Sequence, residues 1–383
     1  MTGIVVLGST GSIGRQALEV IAAHRDRFSL VGLAAGRASR EFGAQLTEWP
    51  DARAWCTAAR PRDLARERWA GGGLEELATL DGAEIVVVAT TGMAALPAVL
   101  AALGSGRRVA LANKETLVTG GHLAERLLTQ LGGDPLDRLR PIDSEHSAIW
   151  QCLVGERLSD VARLILTASG GPFRDRPAGD LEAVTPTDAL AHPTWQMGPK
   201  ITIDSATLVN KAFEAIEAKW LYRLSYDRIQ AVIHPQSVVH SLVEFIDGSY
   251  KAQLGLPDMR LPIQYALTYP ERMPSPARHS SPEQWGDLQF RPLAPGSYPA
   301  YDAAARAAAA AGGNRGAILN AADETAVAAF LAGTITFPRI AGLISEAVER
   351  WGDATEPDLA GIVALDAEVR AALSSELGLA GAA

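Results

Sequence analysis

The stretch that most restricts what this chain can become lies at its start. Ile4-Val5-Val6-Leu7 is a short apolar strand, Gly8-Ser9-Thr10-Gly11-Ser12-Ile13-Gly14 is a glycine turn, and a helical pattern follows at once. In that pattern Ile13, Ala17, Val20 and Ile21 recur at helical spacing, with Arg15, Gln16 and Glu19 on the other face. Strand, glycine turn and helix in this order form the phosphate-binding start of a Rossmann unit. The glycines let backbone approach a pyrophosphate, and the helix amino terminus supplies N–H donors and a positive dipole end. The spacing is G-x-x-G-x-x-G rather than the commoner G-x-G-x-x-G, so the motif draws its strength from its place after a strand.

The alternation continues. Leu30–Ala35, Ala54–Cys56, Ile85–Ala89 and Val109–Leu111 read as strands, separated by helical or loop segments such as Met93–Leu103. That is the pattern of a doubly wound parallel sheet. An NAD enzyme usually has an acid at the end of the second strand for the ribose 2′-hydroxyl, whereas an NADP enzyme favours arginine there. Here the residues are Gly36-Arg37-Ala38-Ser39-Arg40, with no acid before Glu41, which favours NADP over NAD. Taken alone, the same residues also fit a solvated basic turn.

At 383 residues the chain has room for two or three domains, and 48% hydrophobic with 21% charged residues describes a globular protein with an ample core. The net charge of −9 argues against nucleic acid or an anionic membrane as partner. An anionic substrate must then meet a local cluster of donors. Two cysteines, Cys56 and Cys152, are too few for a disulfide framework or a zinc site, and a core strand begins at residue 4 without a basic leader. A cytoplasmic protein is expected. The uncharged run Ile85–Leu103 contains Thr90-Thr91-Gly92 and Pro97 and reads as strand, turn and helix rather than as a membrane span.

Pro141-Ile142-Asp143-Ser144-Glu145-His146 follows Leu136–Arg140, a segment that ends like a strand. Carboxylates at the carboxyl end of a sheet strand point into the crevice where open α/β sheets bind ligands. They are hard oxygen donors suited to Mg²⁺ or Mn²⁺. By themselves the six residues read first as a polar turn capping the next helix. Lys114, in Ala112-Asn113-Lys114-Glu115-Thr116, comes after the fifth strand at the same edge, and a helix start explains it equally well.

The middle of the chain carries further donors. Leu164–Thr167 looks like a strand ending in Ser169-Gly170-Gly171, a sequence able to form a nest of backbone N–H groups. Ala191–Pro199 sets His192, Trp195 and Met197 between breakers, a composition suited to a lid. Ile201–Ile203 leads into Asp204-Ser205-Ala206-Thr207 and a helix of roughly fifteen residues with a buried stripe of Leu208, Ala212, Ile216 and Trp220. This reading puts the Ser205 hydroxyl at the helix amino terminus, with Asn210, Lys211 and Glu214 one turn on. Considered alone, Lys211 and Glu214 read as a surface pair. His234-Pro235-Gln236-Ser237 introduces Val238–Phe245, the turn Asp247-Gly248 and Tyr250–Leu254, a hairpin. Glu271–Ala300 reads as an extended linker, and Tyr301–Ala311, Ile318–Leu331, Phe337–Trp351 and Leu365–Leu379 as a small helical bundle. The expected domains are 1–143, a NADPH-binding Rossmann-like domain; 144–269, a catalytic α/β domain with a lid at 191–199; the linker 270–300; and a helical domain, 301–383.

Together these stretches resemble the 1-deoxy-D-xylulose 5-phosphate reductoisomerase family from Gly8 to at least Arg260. The motifs are GSTGSIG at 8–14, ALANKETLV at 110–118, IDSEH at 142–146, SGGPF at 169–173, HPTWQMGPKITIDSATLVNKAFE at 192–214 and HPQSVVH at 234–240. The resemblance implies NADPH contacts from Thr10, Gly11, Ser12, Ile13, Gly36, Arg37, Asn113, Glu115 and Gly198. Ala38, beside them, replaces the family's usual Asn and removes one polar contact near the adenosine ribose. It implies Mg²⁺, Mn²⁺ or Co²⁺ held by Asp143, Glu145 and Glu214. It implies a sugar phosphate held by Lys114, Ser144, Glu145, Ser169, His192, Ser205, Asn210, Lys211 and Glu214, and catalytic roles for Lys114, Asp143, Glu145, His192 and Glu214. The implied reaction converts 1-deoxy-D-xylulose 5-phosphate to 2-C-methyl-D-erythritol 4-phosphate in a homodimer. A dehydrogenase with a cysteine nucleophile is disfavoured, since neither Cys56 nor Cys152 stands in a reactive setting. A regulator without catalysis has no use for the carboxylates, Lys114 and His192.

Overall fold

The computed structural model describes residues 1–192, 197–309 and 313–379. The chain divides into two compact units, each drawing on several segments. The first contains Met1–Thr116, Leu123–Trp150 and Asp258–His279; the second contains Leu117–His122, Gln151–Pro257 and Ser280–Ala383. These segments do not follow the expected boundaries at 143, 269 and 300. Residues 258–279 return to the first unit, and the helical tail shares one unit with the middle of the chain.

The first unit is built on a six-stranded parallel sheet. Its strands are β1 (Thr2–Leu7), β2 (Phe28–Ala35), β3 (Arg53–Cys56), β4 (Ile85–Val88), β5 (Arg108–Leu111) and β6 (Leu139–Pro141), in the spatial order β3-β2-β1-β4-β5-β6. That is the Rossmann order up to its last strand, with the change of direction between β1 and β4. β4 is apolar at every position and wholly buried, as a parallel strand covered on both faces must be. Ile4, Val6, Leu33, Phe42, Ile85, Val87 and Ile142 share one core with Ile263 and Tyr265 of the returning helix Arg260–Thr268. That helix is tied to β6, since the buried Arg140 donates through Nη1 to the Ala266 carbonyl at 2.8 Å. Leu136–Arg140 divides: Pro135–Arg138 is a helical turn, and the strand begins at Leu139.

The second unit has a five-stranded mixed sheet in the order β10-β9-β7-β8-β11, from β7 (Val161–Ala168), β8 (Ile229–Ile233), β9 (Val239–Phe245), β10 (Tyr250–Leu254) and β11 (Arg291–Pro292). β9 and β10 form the expected hairpin through Asp247-Gly248. The stretch read as a linker is not all extended: β11 pairs antiparallel with β8, and a helix starts at Pro299. The helices Pro299–Ala309, Arg315–Leu331, Arg339–Trp351 and Leu359–Glu376 pack into one core with Ile203, Val209, Phe213 and Ile216. Ala304, Ala321, Ala322, Ala326 and Ala329 are fully or almost fully buried there, because small side chains let helices approach closely. No helix of the described residues is long and apolar enough to cross a membrane.

Candidate active site

At the carboxyl edge of the first sheet the glycine turn is shaped by contacts that admit no side chain. A Cβ on Gly14 would lie 2.1 Å from the Gly8 carbonyl oxygen, so turn and helix start are locked together. Gly11 and Ser12 are exposed, Thr10 and Ile13 partly so, and the helix Ser12–Ala23 begins there with no side-chain cap on its first N–H groups. An anion can take those donors. Gly36, Arg37 and Ala38, past the end of β2, are exposed.

Asn113 is 1% exposed and its amide is engaged internally. Nδ2 donates to the carbonyls of Thr90 (2.9 Å) and Gly92 (2.8 Å), while Oδ1 accepts from the Thr116 N–H and hydroxyl. Its side chain shapes the loop after β4 and caps the helix Lys114–Leu131. Glu115 is buried beside it.

β5 and β6 are neighbours, so the residues just past their ends are brought together. Lys114 Nζ donates to Asp143 Oδ2 at 3.0 Å, with the two side chains 7% and 10% exposed. Asp143 Oδ1 accepts from the Glu145 N–H (3.2 Å), and Ser144 Oγ donates to Glu145 Oε2 (2.6 Å). The capping reading of Asp143 holds, and it leaves the second carboxylate oxygen to another partner. One carboxylate oxygen starts the helix Ser144–Leu153, and the other faces the lysine. The donor set is two hard carboxylates and a hydroxyl, which fits Mg²⁺ or Mn²⁺ and not a soft metal.

In the second unit β7 ends in the Ser169-Gly170-Gly171 turn. Both glycines have positive φ, +82° and +64°, and a Cβ on Gly171 would lie 2.6 Å from the Ser205 carbonyl oxygen. That close approach seats the turn on the residue carrying the next hydroxyl. His192 Nε2 then lies 3.2 Å from Ser169 Oγ and 3.0 Å from Ser205 Oγ. Burial draws its imidazole from an ordinary 6.5 down to about 4, and the charge of Arg174 acts in the same direction. His192 is thus neutral at neutral pH, a hydrogen-bonding group rather than a cation.

The helix expected from Leu208 onward takes a different form. Pro199–Thr207 is itself helical, Leu208 turns left-handed at φ 58°, and a second helix runs Val209–Tyr222. Ser205 lies in the last turn of the first helix, not at the amino terminus of the second, and Gly198 is the exposed N-cap of the first. Lys211 and Glu214 are no surface pair. They are 3% and 1% exposed and ion-paired, and Asn210 Nδ2 donates to Glu214 Oε1 at 2.5 Å. The expected apolar stripe is only part of what is covered, since Lys211, Glu214 and Glu217 are buried as well. Trp195 lies outside the described residues, as do three of its neighbours in the expected lid; Met197 is half-buried.

Two residues near this cluster escaped the sequence reading. Arg174 reaches the Ser169 carbonyl (Nη1, 3.4 Å), and its place right after SGGPF was the available signal. Tyr298 donates to the Gly170 carbonyl at 2.9 Å. It comes from the stretch read as linker, and nothing local distinguishes it.

The sheet order and glycine turn define a Rossmann-type protein, with buried ionisable groups just past two adjacent strands of that sheet. Comparison with known proteins narrows the class. The family model described as 1-deoxy-D-xylulose 5-phosphate reductoisomerase matches residues 4–121, and two models of reductoisomerase C-terminal domains match 139–222 and 254–372. The 1-deoxy-D-xylulose 5-phosphate reductoisomerases of Pelotomaculum thermopropionicum and Thermomicrobium roseum are each 47% identical. The first alignment covers 96% of both chains; the second covers 99% of this chain and 98% of its relative. The structure of the Zymomonas mobilis enzyme in complex with NADPH superposes with a TM-score of 0.88 at 37% identity, over 98% of this chain and 99% of that one. A reductoisomerase in complex with NADPH, fosmidomycin and magnesium gives 0.86 at 35% identity, over 99% of both chains. The chain belongs to the 1-deoxy-D-xylulose 5-phosphate reductoisomerase family.

Proposed function

We propose that this chain catalyses the NADPH- and divalent-metal-dependent rearrangement and reduction of 1-deoxy-D-xylulose 5-phosphate to 2-C-methyl-D-erythritol 4-phosphate, in the non-mevalonate route to isoprenoids. Besides family membership, the observation that carries this reading is the buried Lys114–Asp143 pair past β5 and β6, with Glu145 bonded beside it. Bound NADPH supplies a hydride, and a bound Mg²⁺, Mn²⁺ or Co²⁺ supplies a Lewis acid.

In this reading Thr10, Gly11, Ser12 and Ile13 take the pyrophosphate. Gly36, Arg37 and Ala38 border the 2′-phosphate, with Asn113, Glu115 and Gly198 nearer the rest of the cofactor. Arginine suits a phosphate through its bidentate donors. Asp143, Glu145 and Glu214 form the metal set, and three carboxylates outweigh the charge of a divalent ion while leaving positions open to substrate oxygens.

Ser169, Ser205, Asn210 and Lys211 hold the substrate phosphate, joined by His192 as a neutral imidazole, and Ser144 orients a hydroxyl. Lys114 Nζ steadies the substrate oxygen that gains charge as the carbonyl is reduced. Trp195 and Met197, in the lid at 191–199, keep water from the aldehyde stage. The first unit acts as the cofactor unit, and the second, which includes the helical tail, carries the donors for the substrate phosphate.

The protein works in the cytoplasm, where buried free thiols such as Cys56 and Cys152 stay reduced. It acts as a homodimer, for which β10 is the natural edge, lying last in its sheet with Tyr250 and Leu254 exposed and Ile246 70% exposed before it. The test is incubation with deoxyxylulose phosphate, NADPH and Mn²⁺, following nicotinamide absorbance and identifying the product. Oxidation of NADPH that yields methylerythritol phosphate supports the assignment, and no consumption with any of the three metals refutes it.

A further inference from the structure

Within the glycine turn, Ser9 stands apart from the residues that face solvent: it is wholly buried, whereas Gly11 and Ser12 are exposed. It cannot touch a ligand, yet each of its polar atoms is engaged. Its N–H donates to the Ala34 carbonyl at the end of β2 (2.7 Å). Its Oγ donates to Gln45 Oε1 at 2.7 Å, and its carbonyl accepts from Gln45 Nε2 at 3.0 Å. Gln45 is 7% exposed and belongs to the helix Arg40–Glu48, which Phe42 and Leu46 bury in the first core. Ser39 caps that helix through Oγ, accepting from the Phe42 N–H at 3.1 Å, and Gly36-Arg37-Ala38 lead directly into it. One short helix thus grips the turn after β1 with its middle and carries the loop after β2 on its amino end.

We propose that Gln45 is a positioning residue for the cofactor. Its side-chain amide clasps Ser9 from the side away from the ligand and fixes the turn 8–14 relative to Arg37. A glycine turn is otherwise free to take many conformations, and ordering it before the cofactor arrives removes that cost from binding. The clasp touches neither the nicotinamide nor the substrate. Its loss therefore reads out in coenzyme affinity and 2′-phosphate discrimination, not in the chemical step. The proposal rests on the NADPH reading of the turn.

The test measures KM and Kd for NADPH and NADH, kcat and Tm in Gln45→Met, Ser9→Ala and the double variant. Gln45→Met keeps the volume but leaves the Ser9 carbonyl and hydroxyl buried without partners, whereas Ser9→Ala removes a single buried hydroxyl. Gln45→Met unmakes two buried hydrogen bonds and raises the NADPH KM about tenfold or more, with kcat within about twofold and the preference for NADPH over NADH reduced. Ser9→Ala has a smaller effect in the same direction, and the double variant is no worse than Gln45→Met because the two groups act as one unit. A lower Tm with unchanged NADPH KM and preference in both single variants overturns the proposal, and so do fully additive effects. Arg37→Glu separates this from the underlying reading. If Arg37→Glu weakens NADPH while Gln45→Met and Ser9→Ala do not, the clasp alone fails; if Arg37→Glu also leaves NADPH binding intact, the cofactor reading fails with it.

Discussion

Lys114 and Asp143, twenty-nine residues apart in sequence, meet at 3.0 Å with both side chains nearly buried. Adjacent parallel strands end at Leu111 and Pro141, and Lys114 follows the first end after two residues while Asp143 follows the second after one. Breaking such a buried pair by removing one partner takes away compensation from the other charge, which costs about 3–5 kcal/mol. Lys114→Met should therefore lower the stability of the metal-free protein by that order. It should also abolish turnover while sparing NADPH binding. Added Mg²⁺ should raise the Tm of the variant more than that of the unmutated protein, because a cation again faces Asp143. An equal Mg²⁺ shift in both proteins would show that Asp143 is not a metal ligand.

Arg37 is exposed at the end of β2, with no acid before Glu41. Arg37→Glu should weaken NADPH binding by ~1–3 kcal/mol, the range for a hydrogen bond to a charged group, and narrow the gap to NADH. Titration of each coenzyme by nicotinamide fluorescence measures both effects. Equal kcat/KM for NADPH and NADH in the unmutated protein would remove the 2′-phosphate role of Arg37.

His192 is held at about 4 when folded and returns to an ordinary 6.5 when unfolded. Between those values the unfolded chain binds the extra proton, so the stability contributed by the neutral imidazole is complete above pH 6.5, declines as pH falls, and is gone below about 4. His192→Gln lacks this group. Its Tm should fall less between pH 7 and pH 4.5 than that of the unmutated protein, as followed by circular dichroism. Parallel declines would contradict the assignment.

Glu214 accepts from Asn210 and pairs with Lys211, inside the second core. Glu214→Gln keeps the size and removes the charge, so metal affinity and turnover should drop together and turnover should recover in part at high Mn²⁺. Glu217, three residues on, is 2% exposed and unsuited as a neutral control; exposed Asp227→Asn serves instead. Full activity of Glu214→Gln at limiting metal would exclude the three-carboxylate site.

Much of this was legible along the chain. β1 with its glycine turn, the parallel strands that follow, the Asp247-Gly248 hairpin and the four last helices were all readable, because strand and helix periodicity and turn chemistry are local properties. The residue types around Asp143, Ser169, His192 and Asn210 were readable for the same reason: hard oxygens, hydroxyls and amides sit together in short motifs.

Burial and partnership were not readable. Lys211 and Glu214 show i, i+3 spacing, which an exposed helix and a buried one share; only packing of their helix against the helix Pro299–Ala309 and strands β7 and β8 makes the pair a core feature. The break at Leu208 leaves no glycine or proline signal, since a leucine at φ 58° is held there by its surroundings. Tyr298 on Gly170, Arg140 on Ala266 and Gln45 on Ser9 join residues 128, 126 and 36 positions apart. The sequence by itself determined which elements form and what chemistry they carry. Which side chains became buried, and which partner each of them found, was decided by tertiary structure, because a buried polar group must be satisfied by whatever packing places beside it.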